Sequence, residues 1–276
     1  MRIITDSTVD VSLECAEKLD VSIVPLKVNF GLKEYVDKYE LSSEKFYEML
    51  EQSKETPTTT LVNSEEFMQE FSKTDEDIVG IFISSDLSGT YQAAQLAKKT
   101  LGRENIYLVD SGTATAGLAL LVNKAVQLKE NGFSAKEIYS QLMEIKERIV
   151  LFAAVDTLKY LVKGGRLTKT QGMIGNLLSV KPIISLVKGK ISSIGKTRGI
   201  NKSVDFIVNK IASEYPMDKN EKIAFAYSKD KKLLDVIKAP FVDYPNFTDP
   251  IHCELGSVIG THAGPNAMVI AFFVEK

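Results

Sequence analysis

Apolar and polar positions alternate along this chain in two rhythms, and the style of the alternation changes near the middle. Three compact apolar runs, "RIIT" from Arg2, "IVGIFI" from Ile78 and "IYLV" from Ile106, end in turn residues and predict short buried strands. Between them apolar residues recur at helical spacing. Phe46, Met49 and Leu50 follow Ser42, which is placed to cap a helix, and Phe67, Met68 and Phe71 follow Ser64 in the same way. Further helices are predicted over residues 12–19, over 90–100, and over "TATAGLALLVNKAVQLKE", which stops at Asn131-Gly132. Ser134 and Glu137 form the capping box of the next helix. "VSIVPLKVNF" reads as extended chain with an irregularity at Pro25. Repeated βα units of this kind imply a parallel sheet covered on both faces.

After Ile149 the pattern becomes mixed. "IVLFAAV" is a strand, and "PIISLVKGKISSIG" reads as a hairpin turning at Lys188-Gly189. A helix from near Asn201, a strand at "KIAFAYS", another helix, and strands at "IHCEL" and "AMVIAFFV" follow. The expected architecture is therefore α/β, with an N-terminal parallel-sheet domain over 1–148 and a C-terminal mixed α+β domain over 149–276. No low-complexity linker separates them, so the halves are expected to pack closely.

Composition adds mainly exclusions. The 276 residues carry 34 Lys and Arg against 36 Asp and Glu, a balance that gives no reason to expect nucleic acid as a partner. Cys15 and Cys253 lie far apart and outside any metal-ligand spacing, and read as free thiols in a reducing compartment. The chain opens on a strand where a signal peptide would place its charged and apolar regions. Its apolar runs are too short to span a bilayer. A cytoplasmic protein without a bound metal or cofactor is expected.

Candidate chemistry collects at three strand ends: Asp6-Ser7-Thr8, Ser84-Ser85-Asp86 and Asp110-Ser111-Gly112. In a parallel sheet these share the carboxyl edge, where open α/β folds bind ligands; equally, such residues cap the following helices. Ser88-Gly89-Thr90 offers hydroxyls and free N–H groups ahead of a helix, a setting for one carboxylate or phosphate. The phosphate-loop and dinucleotide glycine patterns are both missing. His252 falls within a strand, whereas His262 lies among glycines and a proline in a loop-like segment. Ser88 with His262 could in principle hydrolyse an ester, but no nucleophile elbow or orienting acid accompanies them. Hydrogen bonding of an anion by these two residues is the favoured reading. Lys163, Arg166 and Lys169, and then Lys196, Arg198 and Lys202, flank glycines; they form either an ordinary solvated surface or a face for an anion or partner.

The pieces "ITDSTVD", "ISSDLSGTYQAA", "VDTLKYLVKGGRL", "LLSVKPIISLVKGKI" and "GSVIGTHAGP", in this order across nearly the whole chain, resemble the DegV family, which includes the fatty-acid-binding subunits of bacterial fatty acid kinase. The resemblance implies a long-chain fatty acid buried between two domains. Its carboxylate would be held by Ser88 and Gly89 of the serine-glycine-threonine loop, by the hydroxyls of Thr59 and Thr60, and by His262 with Thr261 beside it. It further implies a carrier with no catalysis of its own, which presents the carboxylate to a separate kinase and then holds the acyl phosphate. Arg166 and Arg198 match arginines tied to kinase docking or acyl-phosphate handling, and transient membrane contact fits such a carrier. The sequence departs from the family pattern at Leu61-Val62-Asn63, where a polar-proline run is usual, and at Asn266. The rival readings are a serine esterase or thioesterase, and a carrier of another amphipathic anion.

Overall fold

The computed structural model describes residues 1–168, 170, 180–244 and 247–276. Lys169 of the first basic segment lies outside the described residues. The chain starts with β1 (Arg2–Asp6), α1 (Leu13–Lys18) and β2 (Val21–Val24); Ser12 caps α1 by accepting from the Cys15 N–H. At Pro25 it leaves the first sheet. There β3 (Lys27–Phe30) turns back on β4 (Lys33–Val36), and after α2 (Ser43–Gln52) a third strand, β5 (Thr58–Thr60), joins the other side of β3. Next come α3 (Ser64–Phe71), β6 (Ile78–Phe82), α4 (Thr90–Leu101), β7 (Ile106–Asp110), α5 (Thr115–Glu130) and α6 (Ala135–Ile145).

The second half opens with β8 (Ile149–Ala154) and the short α7 (Lys159–Lys163). The hairpin of β9 (Val180–Val187) and β10 (Lys190–Arg198) follows, then α8 (Ile200–Glu214), β11 (Ala224–Tyr227) and α9 (Lys232–Lys238). The chain ends with β12 (Ile251–Glu254), α10 (Ser257–Ala263) and β13 (Met268–Phe273).

The first sheet is parallel with order β2-β1-β6-β7, and the second is mixed with order β10-β9-β8-β13-β11-β12, in which only β11 and β12 run parallel. The α/β class, with an N-terminal parallel sheet and a C-terminal mixed sheet, is the one expected. The small antiparallel sheet β4-β3-β5 was not expected, because three-residue and four-residue strands carry too little periodicity to read. Two local assignments also change. Asn63, not Ser64, caps α3, in a capping box closed by Glu66. His262 lies on helix α10 rather than in a loop.

Three apolar layers hold the sheets. Phe46, Phe67, Phe71 and Phe82 fill one side of the parallel sheet, and Phe152, Phe225, Phe241 and Phe272 fill one side of the mixed sheet. The layer between the sheets is built around α5, whose residues 115–122 are all buried. These first two turns have no polar face to present to solvent, so they are taken into the interior. The helix packs on β1 and β6 from one sheet and on β8, β11, β12 and β13 from the other. The β9–β10 hairpin also crosses this layer. Lys188 and Gly189 adopt φ 48° and 78°, the left-handed pair that a two-residue turn of this class needs. The Gly189 N–H donates to Gly112 O at 2.6 Å. A Cβ on Gly189 would stand 2.7 Å from Asp86 Oδ2 and 2.8 Å from Ser84 Oγ, so glycine lets the hairpin tip seat on the turns that end β6 and β7.

Candidate functional site

The three hydroxyl-rich strand ends do share one edge of the parallel sheet, but all three spend polar groups internally. Asp6 accepts from the N–H and hydroxyl of Thr8 and from the Ile83 N–H, and Ser7 Oγ accepts from the Leu26 N–H. Asp110 accepts from the Ser85 and Gly112 N–H groups, and Ser84 Oγ from the Asp86 N–H. These residues shape turns.

Ser88 differs. It stands where β6 has ended and Gly89 caps α4 without a side-chain bond, and its Oγ meets Thr90 Oγ1 at 2.9 Å. It lines a partly open pocket of about 100 Å³ between the two sheets. Most of the wall is aliphatic, including Leu26, Ile83, Leu151, Ile184 and Val269. The residues Leu151, Ala153 and Val155 reach it because alternate positions of a strand share a face.

One end of this cavity is polar. Thr59, on β5, and His262, on α10, meet there through Thr59 Oγ1 and His262 Nε2 at 3.1 Å. The ring of His262 lies against the backbone of Gly164: a Cβ at that position would fall 2.1 Å from Nδ1. That Nδ1 is buried and has no hydrogen-bond partner. Burial, with a smaller contribution from the nearby Arg166 charge, pulls His262 down to about 4, so the imidazole is neutral at neutral pH. Arg166 also lines the cavity. Its Nε donates to Leu87 O at 2.9 Å and its Nη1 to Gly164 O at 2.6 Å, and among the described residues it forms no ion pair. This end therefore combines hydroxyls, a neutral imidazole and a guanidinium whose charge no carboxylate neutralises. Chemically, such a donor set beside an aliphatic wall suits a single anion at the head of an apolar chain.

Several expected contacts fall elsewhere. Thr60 lies on the opposite face of β5 from Thr59, and its Oγ1 accepts from Asn29 Nδ2 at 2.9 Å; strand alternation sends only one of the two threonines inward. Thr261 donates its hydroxyl to Ser257 O at 2.8 Å, within α10, and does not line the cavity. Gly89 is covered by Leu61, whose Cδ2 would lie 2.9 Å from a Cβ there. Arg198 is exposed near the end of β10, away from the cavity wall, and His252 is exposed on the edge strand β12. Ser88 and His262 share no hydrogen bond, each being bonded to a threonine.

Sequence reasoning gave Arg166 either a solvated surface or an anion-facing or partner-docking role, and passed over three polar residues that the fold buries near the starts of α5 and α10. Asp10, Asp37 and Thr115 are each at most 4% exposed. Asp10 Oδ1 accepts from the Gly256 N–H at 2.9 Å, and Asp37 Oδ1 accepts from the Ser257 N–H and hydroxyl at 3.2 and 2.5 Å, which fixes the start of α10. Burial raises Asp10 to about 7, against the pull of Lys38 and the Gly256 N–H. No periodic signal marks these carboxylates, since each belongs to a segment between regular elements. Among the described residues no group of three or more His, Cys, Asp or Glu is arranged to hold a metal ion, and no helix is long and apolar enough to cross a membrane.

The chain is similar in sequence to a DegV domain-containing protein of Clostridium acetobutylicum, 34% identical over 279 residues that span 100% of this chain and 99% of the relative. Its fold matches a solved DegV family protein of Thermus thermophilus, described for fatty acid binding, with a TM-score of 0.86, 28% identity, and coverage of 99% of this chain and 100% of that one. A stearic-acid-binding protein of Eubacterium ventriosum matches with a TM-score of 0.86 and 26% identity, covering 99% of this chain and 98% of that one. The DegV family pattern itself runs over residues 1–275, and so, by motif, fold and full-length match, the chain belongs to the DegV family.

Proposed function

We propose that this protein is a non-catalytic carrier that binds a long-chain fatty acid in the cavity between its two halves, 1–148 and 149–276, and presents the carboxylate to a separate kinase. The observation that carries the reading is the asymmetry of the cavity: aliphatic walls, and one polar end where Ser88, Thr59, His262 and Arg166, without an ion pair among the described residues, converge. The fatty-acid-binding relatives of known structure support it. Burial of an acyl chain contributes about 0.8 kcal/mol per methylene, so roughly sixteen carbons could contribute on the order of 10 kcal/mol. The tail then supplies most of the affinity, and the head group needs orientation more than strength. Hydroxyls and a neutral imidazole orient a carboxylate while leaving an oxygen available to a phosphoryl donor. Arg166, tethered by two carbonyls, supplies the charge that an acyl phosphate would need, and Arg198 remains an exposed candidate for docking the kinase.

Mass spectrometry of lipid extracted from the purified protein, followed by titration of the stripped protein with stearate, tests this reading. Co-purifying or exchangeable long-chain acid is the expected result, with Ser88→Ala weakening stearate binding about tenfold, the effect of one hydrogen bond to a charged group. Absence of any bound acid together with no binding in the titration would overturn it. Labelling of Ser88 by a serine-reactive phosphonate would overturn the non-catalytic part, and the Ser88–Thr90 pairing predicts an inert serine.

A further inference from the structure

The cavity has a second polar point, which the binding of a plain fatty acid leaves unused. Thr115 opens α5, a helix of 16 residues whose N-cap, Ala114, makes no side-chain cap. Both residues line the cavity. The Thr115 hydroxyl is buried without a hydrogen-bond partner. It faces the Asp10 carboxylate and helps hold that carboxyl down against the rise that burial causes. Asp10 Oδ2 and Asp37 Oδ2 are likewise buried and unpartnered. Buried polar groups in native proteins almost always find a partner, so three such oxygens close together mark a place where a hydrogen-bonding group belongs.

Charge selects the kind of group. Two buried aspartates make this point repel a carboxylate, whereas Arg166 draws one to the other end. What remains favourable is a neutral oxygen that can donate. A threonine hydroxyl has one proton and two acceptor positions; with its proton drawn toward Asp10, it offers acceptor positions to the cavity. A ligand O–H satisfies that arrangement, and a ketone, which only accepts, does not.

Position selects where on the ligand the group must sit. Asp10 and Asp37 hold the N-terminal end of α10, and His262 stands near its C-terminal end. Six residues of helix separate Gly256 from His262, about 9 Å at a 1.5 Å rise per residue. Measured from a carboxylate at His262, that places the second polar point in the middle of a long chain, beyond the reach of its first carbons.

From this juxtaposition we infer that the cavity accommodates a long-chain fatty acid bearing a hydroxyl near mid-chain, held at the Thr115 hydroxyl. The inference rests on the fatty-acid reading above and narrows its ligand class. It is tested by calorimetric titration of the whole protein, stripped of lipid, with stearate and with 2-, 10- and 12-hydroxystearate and 10-oxostearate, in wild type, Thr115→Val and Thr115→Ser. The expected result is that 10- or 12-hydroxystearate gains about tenfold over stearate in wild type, a hydrogen bond's worth, and that neither the 2-hydroxy nor the oxo acid shares the gain. The ratio should collapse toward one in Thr115→Val and survive in Thr115→Ser. Equal binding of stearate and every hydroxy isomer in wild type would overturn the inference, because a bound water then suffices at Thr115; so would a preference that persists in Thr115→Val. The wild-type series decides the matter even if a variant fails to fold. Failure of stearate itself to bind would instead overturn the carrier reading, and this inference with it.

Discussion

At the N-terminal end of α10 two buried aspartates accept hydrogen bonds from the helix; at its C-terminal end a histidine meets a threonine beside an arginine that has no acid partner among the described residues. Both ends are polar, and they differ in what is left over. The aspartate end has surplus acceptors and negative charge, with its Oδ1 atoms committed to the backbone of Gly256 and Ser257. The histidine end has a surplus guanidinium and hydroxyl donors. Under the proposed carrier reading, a carboxylate is drawn to the second and repelled by the first. Polarity alone does not identify the head-group end; unspent donors do, and that accounting also separates Ser88 from the aspartates and serines of the other strand ends.

The sharpest way to break this comparison is to remove the charge from the aspartate end. Asp10 is held at about 7 and Asp6 at about 6 by burial, so both bind protons more readily in the folded chain than in the unfolded one, and each favours folding less as pH rises from near 4 through its folded value. His262, lowered to about 4, acts in the opposite sense: its contribution is complete above the unfolded value of 6.5 and is lost as pH falls toward 4. The wild-type profile therefore sums opposed slopes. Asp10→Asn keeps an acceptor for the Gly256 N–H and abolishes one slope. The variant should be more stable than wild type at pH 8, with the advantage shrinking by roughly 2–3 kcal/mol by pH 5. Chemical denaturation across that range measures it; a constant difference would show that Asp10 stays ionised throughout.

How much of this contrast the sequence displays depends on how each residue is embedded. The parallel βα units, the α5 helix with its Asn131-Gly132 stop, and the Lys188-Gly189 hairpin turn are written in local periodicity and turn chemistry, and they appear where expected. Ser88, Thr59 and His262 were reachable through motif resemblance, and the structure brings all three to the cavity. Thr60 and Thr261 were expected beside them because neighbours in sequence share a motif, yet strand alternation turns Thr60 outward and a backbone bond within α10 engages Thr261. Asp10 closes the "ITDSTVD" motif, yet its role, like that of Asp37, is set only when residues more than 200 positions apart pack around the start of α10. Arg166 was visible as a basic residue among glycines, but whether its charge had a partner is a tertiary fact.

Two glycines at the head-group end sharpen the comparison further and rank its parts. Gly164→Ala would place a methyl 2.1 Å from the His262 ring and 3.2 Å from the backbone Tyr160 O, in a half-buried setting where a ring and a main-chain atom must give way. We expect a loss of about 1–3 kcal/mol in stability from overpacking and a fall in stearate affinity of at least tenfold as the imidazole is displaced from Thr59. Unchanged affinity would mean that His262 does not hold the head group.

Gly89→Ala should do much less, and the reason is physical. The atom met at 2.9 Å is Leu61 Cδ2, the end of a flexible side chain that is 39% exposed and can swing into solvent. Gly89 has φ −72°, where alanine is unstrained, although alanine is a poorer N-cap for α4. A cost below about 1 kcal/mol and a less than threefold change in stearate affinity are expected from denaturation and titration. A loss as large as that of Ser88→Ala would instead make the Gly89 backbone a ligand contact, and Leu61 part of the closure over the bound head group rather than a passive cover.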